Sequence, residues 1–116
     1  MAAEERRRAP RIMRSFIVRY RAADQSGATW LASPLKDLSS GGARFLSEQP
    51  LAVNDVLALQ LLLPTAQQPV ALKARVAWVR PAPFNMAAVG VTFDPGDLLV
   101  QRTIDEAVAY FLRPKS

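Results

Sequence analysis

The chain of 116 residues contains no cysteine and no histidine. Those absences exclude disulfide frameworks, thiolate nucleophiles, most zinc sites and the usual general base. A chain without cysteine also fits a reducing compartment. Long apolar runs are missing as well. The most apolar stretch, Val56 to Leu63, is far too short to cross a bilayer. The basic amino terminus has no apolar segment behind it, which argues against a secretory signal. No internal repeat and no second domain is visible. The expectation is a soluble, cytoplasmic protein that holds neither metal nor cofactor and does not insert into membranes.

What is present is unevenly placed. Up to Arg21 there are seven arginines against Glu4 and Glu5, and from Ala22 onward eight basic residues meet eight acidic ones. The whole net charge of +5 therefore sits on the amino-terminal arm, at Arg6, Arg7, Arg8, Arg11 and Arg14 with Arg19 and Arg21 behind. All seven are arginine. A guanidinium fork grips phosphate or a guanine edge with two parallel hydrogen bonds, which an ammonium cannot do. The body, by contrast, is half apolar. A chain of this size buries roughly two-thirds of its extended surface, enough for one core.

Residues 1–14 are polar, basic and interrupted by Pro10, and are expected to form a flexible arm. Residues 15–116 are expected to form the folded domain. Phe16, Val18 and Tyr20 alternate with Ile17, Arg19 and Arg21, predicting a first strand with one inward face. After a turn at Asp24 to Gly27, a second strand is predicted over Ala28–Leu38, with Pro34 marking an edge or a bulge. Ala43–Ser47, Val56–Leu63, Val70–Arg80 and Ala88–Phe93 complete the set. In Val70–Arg80 the inward series is Val70, Leu72, Ala74, Val76 and Trp78, which places Trp78 in the core or at its rim. Asp94-Pro95 reads as an N-cap followed by proline in the first turn. Leu98, Gln101, Ile104, Val108 and Phe111 form the stripe of a helix that ends at Arg113-Pro114. Six short strands and one helix predict an all-β, six-stranded antiparallel barrel with a C-terminal α-helix.

Two motifs carry chemistry. The arm holds Arg7-x-x-x-Arg11, and the turn after the second strand reads Asp37-Leu38-Ser39-Ser40-Gly41-Gly42, an Asp-x-Ser-x-x-Gly. In this order and separation they resemble the PilZ domain family, receptors for the bacterial second messenger cyclic di-GMP. Ala74 to Arg80, with its tryptophan, and Ala88 to Phe93 resemble two further strands of that family. The resemblance covers nearly the whole chain and implies the same barrel and helix.

It also implies a ligand, and the residue chemistry suits that ligand. Each guanine offers O6 and N7 as adjacent acceptors, the edge that arginine reads. Arg7 and Arg11 would grip those acceptors and a phosphate, while Arg6 would stack on a base or reach a second ligand. The Asp37 carboxylate would accept from guanine N1–H and N2–H₂. Ser39 would donate to phosphate or brace the loop, and Gly42 would permit a conformation or a close ligand approach. Arg44 and Trp78 are secondary candidates, with a bracing role favoured for Arg44 and a structural one for Trp78. No histidine or cysteine activates Ser39 or Ser40, so catalysis is not expected. The implied role is a receptor and adaptor that changes its arm conformation and signals to a downstream protein partner. Two alternatives stand beside it: a PilZ-like interaction module that binds no nucleotide, and a small basic barrel for RNA or single-stranded DNA. The neutral body and the lack of a stacking platform count against the last.

Overall fold

The computed structural model describes residues 16–112, apart from Ser26, Pro95 and the side chains of Phe111 and Leu112. The arginine arm, with Arg6, Arg7 and Arg11, lies outside these residues. So does the predicted stop at Arg113-Pro114.

Six strands are present: β1 (Ile17–Ala22), β2 (Leu31–Leu38), β3 (Gly42–Ser47), β4 (Val56–Leu62), β5 (Val70–Ala82) and β6 (Met86–Asp94). They close into an antiparallel barrel in the order β1-β2-β3-β6-β5-β4, which leaves no free sheet edge around its girth. One helix among the described residues, α1 (Leu98–Leu112), follows β6. The period-two pattern explains the interior. Val18, Tyr20, Phe45, Leu57, Leu59, Leu61, Val76 and Val89 are all fully buried, and Ile104 and Ala107 of α1 join the same cluster. Tyr20 keeps its hydroxyl satisfied inside the core by accepting from the Glu48 N–H at 3.0 Å, and its ring lies 4.9 Å from that of Phe45.

The elements depart from the sequence expectation at four places, each with a local cause. β2 starts at Leu31, not Ala28, because the preceding residues wrap Arg21. Its guanidinium donates to the Ala28 carbonyl at 2.9 Å and lies 4.0 Å over the Trp30 ring. Pro34 sits in no open edge. Where it interrupts β2, the Ser33 hydroxyl oxygen accepts from the Leu46 N–H in place of a backbone partner, and the bulge comes just after it, between Leu35 and Asp37. β5 runs on through Pro81 to Ala82, still paired with β6. Its other neighbour, β4, pairs only with Val70 to Arg75, so the extension is one-sided and tolerates proline. The helix starts three residues beyond the expected region. Asp94 stays in β6, paired with Lys73, and Asp97 is the cap instead, accepting from the Leu99 N–H at 2.8 Å. As a result Leu98 is almost fully exposed rather than part of the buried stripe.

Candidate functional site

Two β-bulges build the site. In β2, Leu35 pairs with Phe45 while Asp37 pairs with Arg44, leaving Lys36 as the extra residue. Strict alternation from Leu35 would turn Asp37 toward the barrel interior. The bulge reverses the phase, so Lys36 and Asp37 are both exposed and Leu38 turns back toward the core. In β5, Val76 pairs with Val91 and Trp78 with Gly90, with Ala77 as the extra residue. Here the same reversal sends Trp78 to the outer face and Val79 to the core side. Trp78 therefore does not belong to the inward series Val70, Leu72, Ala74 and Val76. Bulges of this kind re-aim side chains, and these two aim Asp37 and Trp78 into one outer-face pocket.

Gly90 makes the second placement possible. It is buried beneath the indole, and a Cβ there would run into the Trp78 ring. The Arg80 guanidinium, two residues along the same face, lies 4.7 Å from the Trp78 ring centroid, a cation–π contact.

The turn joining β2 to β3 is held at each peptide. The Ser39 N–H donates to the Gly42 carbonyl at 2.8 Å. The Ser39 hydroxyl accepts from the Gly42 N–H and donates to the Gly42 carbonyl, both at 3.2 Å. The Gly41 carbonyl accepts from the Phe93 N–H at 2.8 Å. From α1, the Gln101 side-chain amide donates to the Ser40 carbonyl and to the Asp105 carboxylate, each at 2.8 Å. Gly42 is needed because a Cβ there would strike the Val91 carbonyl oxygen of β6.

Asp37, Ser39, Gly41, Gly42, Arg44, Trp78 and Thr92 surround a pocket of about 250 Å³. Across its floor the Asp37 carboxylate meets the Arg44 guanidinium at 3.0 Å, with both side chains a little over half exposed. An exposed pair of this kind contributes roughly 0.2–1 kcal/mol, so exchanging it for a ligand contact costs little.

A family match decides what kind of domain this is: the PilZ domain model matches residues 5–110. The chain belongs to the PilZ domain family. Its fold is similar to that of several solved PilZ structures and their relatives. MrkH from K. pneumonia in its apo state shares 20% identity over 84% of this chain and 46% of that one, with a TM-score of 0.69. MotI/DgrA, the inhibitor of motility of Bacillus subtilis, shares 12% over 88% and 49%, with a TM-score of 0.66. The PilZ domain with c-di-GMP of YcgR from Escherichia coli shares 17% over 88% and 85%, with a TM-score of 0.64. The chain spans about half the length of the MrkH and MotI chains. No curated protein matches it.

Within this PilZ barrel, Asp37, Ser39, Gly42, Arg44 and Trp78 come together in one pocket. Arg6, Arg7 and Arg11 lie outside the described residues. Sequence reasoning did not assign two residues that shape the site. Arg80 shares a face with Trp78 only once the bulge is known. Gln101 was read as part of the buried helix stripe, whereas its amide pins the turn. Among the described residues, no cluster of three or more His, Cys, Asp or Glu side chains is able to hold a metal. No described helix is long and apolar enough to cross a membrane.

Proposed function

We propose that this PilZ domain is a receptor for cyclic di-GMP, with the arginine arm and the Asp37–Gly42 turn forming opposite sides of one site. The observation that carries the reading is the outward Asp37 carboxylate, set by the β2 bulge beside a braced turn and the Trp78 ring. Family membership supports it, as does the c-di-GMP bound to the similar YcgR domain.

Chain geometry supports a clamp. The Phe16 carbonyl accepts from the Leu35 N–H at 2.8 Å, two residues before Asp37. Phe16 is thus held next to the strand that ends in the turn. Arg11 is five residues upstream, a reach of up to about 17 Å when extended. Arg7 and Arg11 then take guanine O6 and N7 and a phosphate, Arg6 stacks or meets a second ligand, and Asp37 accepts from guanine N1–H and N2–H₂. Ser39 acts by bracing the turn. The pocket of about 250 Å³ is smaller than a typical ligand site of roughly 300–1,000 Å³, as expected of one wall of a site completed by the arm. Closure of the arm changes the surface offered to a downstream protein, which makes the domain an adaptor without chemistry of its own.

Calorimetric titration with cyclic di-GMP tests the reading, and salt separates it from nucleic-acid binding. A compact ligand with two phosphates should lose affinity only modestly between low and physiological salt, whereas an RNA or DNA binder loses orders of magnitude. Absence of saturable binding contradicts the proposal. Asp37→Asn should weaken binding about tenfold or more, since a guanine donor then faces an amide group instead of a carboxylate. That loss should exceed the loss in Arg44→Ala. Equal losses in the two variants would mean that Asp37 serves only to pair with Arg44 and shape the hairpin.

A further inference from the structure

The hairpin joining β5 to β6 stands beyond the barrel, and its tip is built against backbone preference. Phe84 and Asn85 occupy the left-handed region, at φ 63° and 60°, inside a turn closed by the Met86 N–H on the Pro83 carbonyl. Asparagine tolerates that region, but a bulky aromatic residue there is an outlier. Phe84 gains no burial in return, since it is 93% exposed. Folding alone therefore does not account for a phenylalanine at this position.

Below the tip lies an apolar groove of about 620 Å³ on the outer face. Phe84, Pro81, Met86, Ala88, Leu46 and Trp78 line it, and its only charged lining residues among those described are Lys36 and Arg44. Asp37 answers Arg44. Lys36 has no ion-pair partner among the described residues. Arg80 adds a third cation beside Trp78. Strand addition at the adjacent one-sided stretch of β5 is blunted by Pro81, so the groove face, and not the strand edge, is the available surface.

We propose that this groove docks an amphipathic helical segment of a protein partner, with apolar side chains in the groove, acidic residues against Lys36, Arg44 and Arg80, and Phe84 as the anchor. An exposed aromatic beside a concave apolar surface with a net-basic rim fits the anatomy of an interaction surface. Its concavity favours a protein segment over a flat lipid surface. Arg44 and Trp78 line both this groove and the Asp37 pocket, so the two sites share a wall.

The test uses the full chain and a fluorescein-labelled helical peptide with leucine on one face and glutamate on the other. Matched peptides carry lysine for glutamate or serine for leucine. Fluorescence anisotropy should show saturable binding of the leucine–glutamate peptide alone. Phe84→Gly should weaken it about tenfold or more, while raising the thermal midpoint by a few degrees, because glycine relieves the backbone strain. Lys36→Glu should weaken the glutamate peptide and favour the lysine peptide. Unchanged binding in Phe84→Gly, equal binding of both charge types, or no binding of the glutamate peptide would each overturn the proposal. So would a dimer in sedimentation that Phe84→Gly dissolves, which would make the occupant a second copy, or anionic vesicles binding where the peptide does not. Calorimetry with cyclic di-GMP on the same sample keeps the two readings apart: a protein that docks the peptide but ignores the nucleotide loses the receptor role and retains this surface.

Discussion

Replacing Arg7 or Arg11 by alanine is expected to weaken cyclic di-GMP binding by about tenfold to more than a hundredfold, with the thermal midpoint of the free protein unchanged. Charge-assisted hydrogen bonds contribute on the order of 1.5–3 kcal/mol each, and each arginine offers a two-pronged one. The described core runs from Val18 to Ala107 without the arm, so the substitutions remove no interior packing seen there. Calorimetry and a melting curve on each variant check both halves. A variant that melts early, or that binds like the parent, removes the clamp from the account. Arg7→Lys and Arg11→Lys sharpen the point. They keep the charge but lose the fork, and should recover only a small part of the affinity.

Gly42→Ala should be the most damaging single-methyl substitution in the turn. Its Cβ would meet the Val91 carbonyl oxygen, a backbone atom in a paired strand that has little freedom to yield. Gly42 pairs with Thr92 in the β3–β6 ladder, so relief requires those strands to separate. Overpacking of this kind costs about 1–3 kcal/mol, and a drop of roughly 4–15 °C in the thermal midpoint is expected. The neighbouring glycine provides the control. A Cβ at Gly41 meets nothing within 4 Å, and its φ is not positive. Gly41→Ala should therefore be neutral or stabilising by up to about 1 kcal/mol. If instead Gly42→Ala melts normally and loses only ligand affinity, the glycine serves ligand approach and the packing account is wrong.

Pattern and turn signals were enough to find all six strands, and alternation gave the buried faces of β1 and of the first half of β5, because a half-buried strand repeats every two residues. It failed where one extra residue breaks the count. Ala77 is an unremarkable residue in an apolar–polar series, and nothing in that series marks it as the bulge that turns Trp78 outward. The available clue was long-range: Gly90, where a Cβ would run into the Trp78 ring, stands opposite in β6. Lys36 and Asp37 gave a local clue, two consecutive charged positions in an otherwise alternating strand. The helix start was misplaced because Asp94 and Asp97 are both good caps, and Pro95 made the first more attractive. Strand pairing to Lys73 decided between them. The Asp-x-Ser-x-x-Gly turn was legible as a motif, while the roles of its members were not. The bracing contacts of Ser39 with Gly42 depend on the folded turn, and the support from Gln101 crosses a separation of 61 residues.

The central claim is that two distant segments meet on one ligand, and amide mapping tests it most directly. Cyclic di-GMP is titrated into ¹⁵N-labelled protein while the amides of residues 4 to 14 and 37 to 44 are followed together. The account predicts that both sets shift along one saturation curve, that the arm amides become ordered on the picosecond–nanosecond timescale at saturation, and that cyclic di-AMP fails to reproduce either change, since adenine presents a donor where guanine has O6. Shifts confined to one segment, an arm whose order is the same with and without ligand, or an equal response to the adenine dinucleotide would contradict it.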